Sequence, residues 1–191
     1  MQKKISIVCI ISLLFVIVQA IWQVSYIQNK VKEEHAIETF FVESVNKKEN
    51  VKKEKDDENI DYIAVLEIPA IFLKKGLVPT NSKYNNIKYN IQILNNSINN
   101  DDLNDVYLAA HSGNSKVSFF KNLDKLNISD IAYLYYNKTI YKYMVDEIFE
   151  QNKDGTIVIP ESKEKRLILT TCSKDKEKQL IIICKLIEEI K

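Results

Sequence analysis

Between Ile60 and the C-terminus, eight short runs rich in Ile, Val, Leu and Tyr follow one another, and they leave little choice of architecture. YIAVLEIP, LKKGLVP, IKYNIQIL, DVYLAAH, DIAYLYYN, TIYKYMVDEIFE, RLILTTC and QLIIICKLI are of strand length and largely β-branched or aromatic. Polar stretches of Asn, Asp, Ser and Lys separate most of them. Asn137-Lys138 reads as the turn of a hairpin, Gly76 as a turn, and Pro69 as the close of the first run. SFFKNLDKL reads differently, with Phe119, Phe120, Leu123 and Leu126 at helical spacing. The last run has some helical periodicity too, but three consecutive isoleucines and the apolar run before it favour a strand. Residues 60–191 are therefore expected to form a mainly β domain, a closed or nearly closed barrel of about eight strands with one or two short helices.

A different pattern precedes it. Residues 5–22 carry no charge, and a helix of that length spans roughly 27 Å, close to the thickness of a bilayer core. Lys3 and Lys4 stand before the run, which favours a cytoplasmic N-terminus and an exported body. The expectation is a short tail (1–4) and a single transmembrane anchor (5–27). Val18-Gln19-Ala20 offers a signal-peptide cleavage site, although the apolar run continues through Ile21 and Trp22. On either reading the body is extracytoplasmic, and the anchored form places it at the cell membrane, single-pass. Residues 28–59 are densely charged. Val31, Ile37, Phe40, Phe41 and Val45 point to an amphipathic helix, and Asn46 to Asn59 reads as a flexible stalk. His35 reads as a solvated helix histidine.

Composition removes several function classes. The net charge is +1 and all but one of the 27 basic residues are lysine, so neither a basic field nor arginine forks point to nucleic acid. Three glycines cannot supply a Gly-rich phosphate cradle. Cys9, Cys172 and Cys184 form no Cys-x-x-Cys pair, which removes the usual spacing for zinc or a redox dithiol. Asp101, Asp102 and Asp105 read as a solvated loop rather than a metal cage. No cofactor and no metal is expected.

The chemistry rests on few side chains. If Leu167 and Leu169 face the core, Cys172 falls on the opposite face at the end of its strand, before the polar loop SKDKEK. Partial exposure there suits a reactive thiol, whereas Cys184, inside IIICKLI, reads as a core thiol and Cys9 as a small hydrophobe in the anchor. A nucleophilic cysteine needs a base or a cationic neighbour. His111 is the one histidine of the body. It ends DVYLAAH just before Ser112-Gly113-Asn114, a strand-to-loop position like that of Cys172. Taken singly, either residue is equally a surface side chain at a strand end.

Taken together, they resemble a known family. Ile168-Leu169-Thr170-Thr171-Cys172 is similar to the Thr-Leu-x-Thr-Cys motif of sortases, the membrane-anchored cysteine transpeptidases of Gram-positive bacteria, with Ile168 in place of the first threonine. LAAHSGNSKVSFFKNLDKL resembles the family's histidine segment, and VLEIPAIFLKKGL resembles its opening strand. The resemblance spans residues 60–188, and the N-terminal anchor fits it. One departure stands out: the family's third residue is an arginine opening the last strand, and Gln179 occupies that position here. Arg166, the single arginine, lies on another strand, and Lys178 beside Gln179 belongs to the opposite face.

The resemblance implies two-step acyl transfer. Cys172 attacks a peptide bond in the C-terminal sorting signal of an exported protein, and His111 partners the thiolate and protonates the leaving amine. An amine on a cell-wall precursor or a pilin then resolves the thioacyl enzyme. Gln179 or Thr171 would assist a backbone N–H in stabilising the oxyanion, and Thr170 and Thr171 would contact substrate. Implied partners are sorting-signal-bearing surface proteins and a cell-envelope amine, met at the membrane face. Within the family, residues 46–59 lack an aromatic plug and no second apolar segment follows the body, which favours a wall-anchoring enzyme over a pilin polymerase. Gln179 supports an alternative, a sortase-like domain that binds peptides without catalysis. An L,D-transpeptidase is disfavoured by ILTTC, and a thiol oxidoreductase by the lack of a second cysteine near Cys172.

Overall fold

The structure, a computed structural model, describes residues 15, 17–19, 21–25, 61–95, 97, 98 and 103–191. The chain divides into two units, Met1–Phe41 and Val42–Lys191. The described residues of the first are helical. No helix among the described residues is long and apolar enough to cross a membrane. Much of the expected anchor and the whole charged segment 28–59 lie outside the described residues, as do Asp101 and Asp102.

In the second unit the eight apolar runs become eight strands: β1 (Ala64–Ile68), β2 (Leu73–Leu77), β3 (Gln92–Leu94), β4 (Asp105–Ala109), β5 (Ile131–Tyr136), β6 (Thr139–Asn152), β7 (Arg166–Cys172) and β8 (Lys178–Ile190). They form one sheet in the order β2-β1-β5-β6-β8-β7-β4-β3. Every pairing is antiparallel except β4 with β7. Asn137 and Lys138 have φ of 46° and 63°, the left-handed pair whose twist matches a two-residue hairpin, and they join β5 to β6 in the register Tyr136↔Thr139. The long strands β6 and β8 stay paired through register shifts at Lys142/Tyr143 and Val145/Glu147. Such bulges bend a ladder and let it curl.

Alternation along the strands then fills two cores. Leu167 and Leu169 of β7 join the main core with Val106, Leu108, Leu134, Tyr143 and Phe120, so the face assignment made from sequence holds. Ile168 points the other way and packs with Ile181 and Ile183 under Ile157 and Ile159 of the β6–β7 loop. Strands β7 and β8 are thus covered on both faces, which is why they read as continuous apolar runs rather than alternating ones.

Of the two barrel forms expected, the nearly closed one is found: no ladder joins the edge strands β2 and β3 among the described residues, and Asn90 Nδ2 spans the seam by donating to Gly76 O at 3.0 Å. Three details differ from the sequence-based expectation. Gly76 is no turn but an interior residue of β2 opposite Val65. A Cβ there would stand 2.5 Å from the Tyr62 ring, so glycine admits a close approach. In IKYNIQIL only Gln92–Leu94 is strand. Asn85 draws the preceding segment into turns, its side-chain nitrogen donating to Thr80 O and Ile93 O and its oxygen accepting from Ile93 N. SFFKNLDKL forms turns with a 3-10 turn at Leu123–Lys125; another 3-10 turn, Pro69–Ile71, follows β1.

Candidate functional site

Two strands that run parallel end at the same edge of a sheet, and β4 and β7 use this to bring distant residues together. Their register begins at Asp105↔Arg166 and continues to Ala109↔Thr170. A fork holds the first pair: Arg166 Nε donates to Asp105 Oδ1 at 2.9 Å and Nη2 donates to Oδ2 at 2.6 Å. Nη1 donates to Pro160 O at 2.7 Å, fastening the β6–β7 loop as well. The hydrogen bond to Asp105 keeps the guanidinium charged against its burial. Asp105, expected in a solvated acidic loop, is therefore half of a structural ion pair.

His111 and Cys172 each lie six residues beyond this clamp. The two chains stay tied past the last ladder pair. Thr171 Oγ1 donates to Ala110 O at 2.7 Å, and Ser112 Oγ donates to Cys172 O at 2.8 Å. Phe120 N donates to His111 O at 3.0 Å. Since Phe120 is wholly buried, this bond fixes the backbone of His111 to the core.

Cys172 is half-buried and borders an open cleft of about 510 Å³ that Ser112, Phe120, Phe149, Glu150 and Thr171 also line. The hydrogen-bond partner of its sulfur is Lys153, whose Nζ stands 3.2 Å from Sγ. Lys153 is the first residue beyond β6, and its backbone N–H donates to Glu177 O at 2.8 Å. The loop it opens is well anchored. Asp154 Oδ1 accepts from Thr156 N and Oγ1 at 3.0 and 2.6 Å, bonds that hold the Asp154 carboxyl below its usual range. Gln151 Nε2 donates to Thr156 O at 2.8 Å, and Gln151 Oε1 accepts from Val158 N at 3.2 Å.

Gln179 lies directly opposite Cys172 in the β7–β8 register. Its amide serves the same loop, donating to Asn152 O at 3.3 Å and to Thr156 O. Thr171 lines the cleft while its hydroxyl is held by Ala110 O. Thr170 is buried between Ala109 and Ile181 and is not among the lining residues. Ser173 N donates to Lys178 O at 3.1 Å, and its hydroxyl donates to Glu150. Across the cleft, Lys174 pairs with Asp124 at 2.9 Å, which raises the lysine's pKa. Cys184 is wholly buried, and burial, followed by the charge of Asp146, pushes its thiol up to about 12.

The arrangement gathers a partly exposed thiol beside an open cleft and an ammonium in contact with it, with His111 just beyond the end of the neighbouring strand. These are the parts of a nucleophilic acyl-transfer site. Sequence reasoning offered Cys172 and His111 as candidates and gave no signal for Lys153 and Ser112, which hydrogen-bond Cys172. Nothing local marks Lys153 in QNKDGT; it reaches the sulfur only through two antiparallel pairings, β6 with β8 and β8 with β7.

A family model described as Sortase domain matches residues 66–187. Among solved structures, the chain is similar to a Clostridium perfringens Sortase D5 transpeptidase, at 24% identity and TM-score 0.61, covering 83% of this chain and 99% of that one. It is also similar to Streptococcus pneumoniae Sortase C, at 21% identity and TM-score 0.57, covering 83% of this chain and 90% of that one. Listeria monocytogenes sortase A aligns at 18% identity and TM-score 0.55, over 67% of this chain and 88% of that one. At these identities the structural likeness speaks to the fold. No curated protein matches the sequence.

Proposed function

The chain belongs to the sortase family, and from that premise we propose that it is a cysteine transpeptidase acting on sorting signals of exported proteins. The observation that carries this reading is that His111 and Cys172 stand at the same end of the parallel β4–β7 pair, where Cys172 borders the cleft.

In the proposed reaction the Cys172 thiol gives its proton to His111, and the thiolate adds to the carbonyl carbon of the scissile peptide. A C–S bond forms and the C–N bond breaks, with the proton on His111 passing to the departing amine. A second amine, supplied by a cell-envelope precursor or a pilin, then adds to the thioester. Its C–N bond forms as the C–S bond breaks, and its proton passes by way of His111 to the sulfur. The proposed setting is the outer membrane face, which the uncharged run 5–22 and the lysines before it support. An anchored enzyme there meets membrane-borne substrates at raised effective concentration.

Gln179 favours a second reading, a peptide-binding domain without catalysis, because its amide bonds the β6–β7 loop and brings no charge. Mass spectrometry separates the two. The full chain is incubated with a panel of sorting-signal peptides, beside a Cys172→Ala variant. A thioacyl adduct on Cys172 that disappears in the variant is the expected result. Peptide binding with no adduct and no cleavage product sinks the transpeptidase reading.

A further inference from the structure

We propose that Lys153 is a catalytic residue of this site, the cation that stabilises the Cys172 thiolate and the negative charge formed when that sulfur adds to a carbonyl. The inference rests on the transpeptidase reading above and goes beyond it by assigning the positive charge to the β6–β7 loop.

Three observations carry it. First, Lys153 Nζ is in hydrogen-bond contact with the nucleophilic sulfur at 3.2 Å, and an opposite charge at such range favours the charged form of a thiol. Second, the other candidates for this task are engaged elsewhere. Arg166 is forked onto Asp105 at the far end of the same strand, the Gln179 amide bonds Asn152 O and Thr156 O, the Thr171 hydroxyl bonds Ala110 O, and Ser173 N bonds Lys178 O.

Third, the loop that presents Lys153 is built to hold it. Gln151 from β6 and Gln179 from β8 both donate to Thr156 O, and Asp154 closes the turn on Thr156. Gln179 is thus a positioning residue: set opposite Cys172, it fastens the strap that carries the cation. Several of the other charged groups around the cleft have partners of their own. Glu150 accepts from Ser173 and lies 4.0 Å from Lys178 Nζ, and Lys174 holds Asp124. His111 follows β4 in the chain, and Lys121 lines the cleft. Lys153 is assigned charge alone, and proton transfer remains with His111.

The test is the rate at which iodoacetamide alkylates Cys172 in the full chain, read by peptide mapping from pH 5 to 10, for the native protein, Lys153→Gln and Lys153→Arg. Loss of the charge should slow alkylation at neutral pH about three- to tenfold. Arginine should restore most of the rate. Raising the salt to about 1 M should slow the native protein and leave the glutamine variant unchanged.

Superimposable profiles for native and glutamine proteins overturn the proposal. So does an acyl group found on Lys153 itself after incubation with peptide, since the side chain would then be an internal acceptor rather than a charge. Circular dichroism of each variant separates lost charge from lost fold, and arginine rescue confirms the separation. Alkylation needs no peptide substrate. A charge-dependent profile in a protein that cleaves no peptide therefore faults the transpeptidase reading alone, and a flat response in an active enzyme faults Lys153 alone.

Discussion

The buried thiol of Cys184 gives a quantitative test of how β8 is packed. Its side chain is wholly enclosed, with Leu167 across the ladder on β7 and Val145 on β6. Enclosure raises the folded thiol to about 12 against an ordinary 9.0, so the folded chain keeps a proton that the unfolded chain releases above about pH 9. The contribution is whole below that pH and is lost as pH climbs toward 12. Linkage puts the loss at about 3 kcal/mol by pH 11, a substantial part of the roughly 5–15 kcal/mol that holds a domain folded.

Urea titrations of the native protein and Cys184→Ala at pH 8 and pH 11, under reducing conditions and followed by circular dichroism, isolate this term. The alanine variant should start about 1 kcal/mol less stable from its small cavity and then lose less on going to pH 11, so that the order of the two proteins reverses. Burial raises Tyr143 as well, and carboxylate partners raise Lys174 and Lys185. Those groups are common to both proteins and largely cancel in the difference. Two stability curves that run parallel from pH 8 to 11 would refute the argument that this thiol is held proton-bound by enclosure.

Two further outcomes follow from the packing. The Tyr143 hydroxyl is buried with no hydrogen-bond partner among the described residues, so Tyr143→Phe should stabilise the protein by about 1 kcal/mol and raise its melting temperature by a few degrees in calorimetry. Arg166→Met leaves the Asp105 carboxylate without its cation and Pro160 O without its donor, which should cost roughly 3 kcal/mol in urea and make residues 153–165 the first site of limited proteolysis.

The strands were legible because burial imposes a pattern on consecutive residues. RLILTTC and QLIIICKLI read as strands, and Cys172 and His111 read as lying where a strand opens into a loop. What escaped was whatever depends on residues far apart in the chain. Gly76 looks like a turn until Tyr62 is found lying against it. Asn85, just before IKYNIQIL, and Asn90 within it bond backbone that sequence alone cannot locate. Lys153 is an ordinary loop lysine until β6, β8 and β7 are laid side by side. Arg166 was rightly set aside as a stand-in for the missing arginine, but its structural use with Asp105 appears only once the parallel pairing is known.

That pairing also bears on which changes in length the protein can inherit. From Asp105 to His111 and from Arg166 to Cys172 the tracts are equal, and the ion pair pins both at their start. Adding or removing a single codon in one tract would advance its end by about 3.3 Å and turn the last side chain to the opposite face. His111 or Cys172 would then leave the site while every strand survived. A lineage can lengthen the loop after His111 or the one after Cys172 at little cost, but these two tracts can change length only together. Anyone transplanting the site to another sheet must carry both, with the ion pair that sets their common origin.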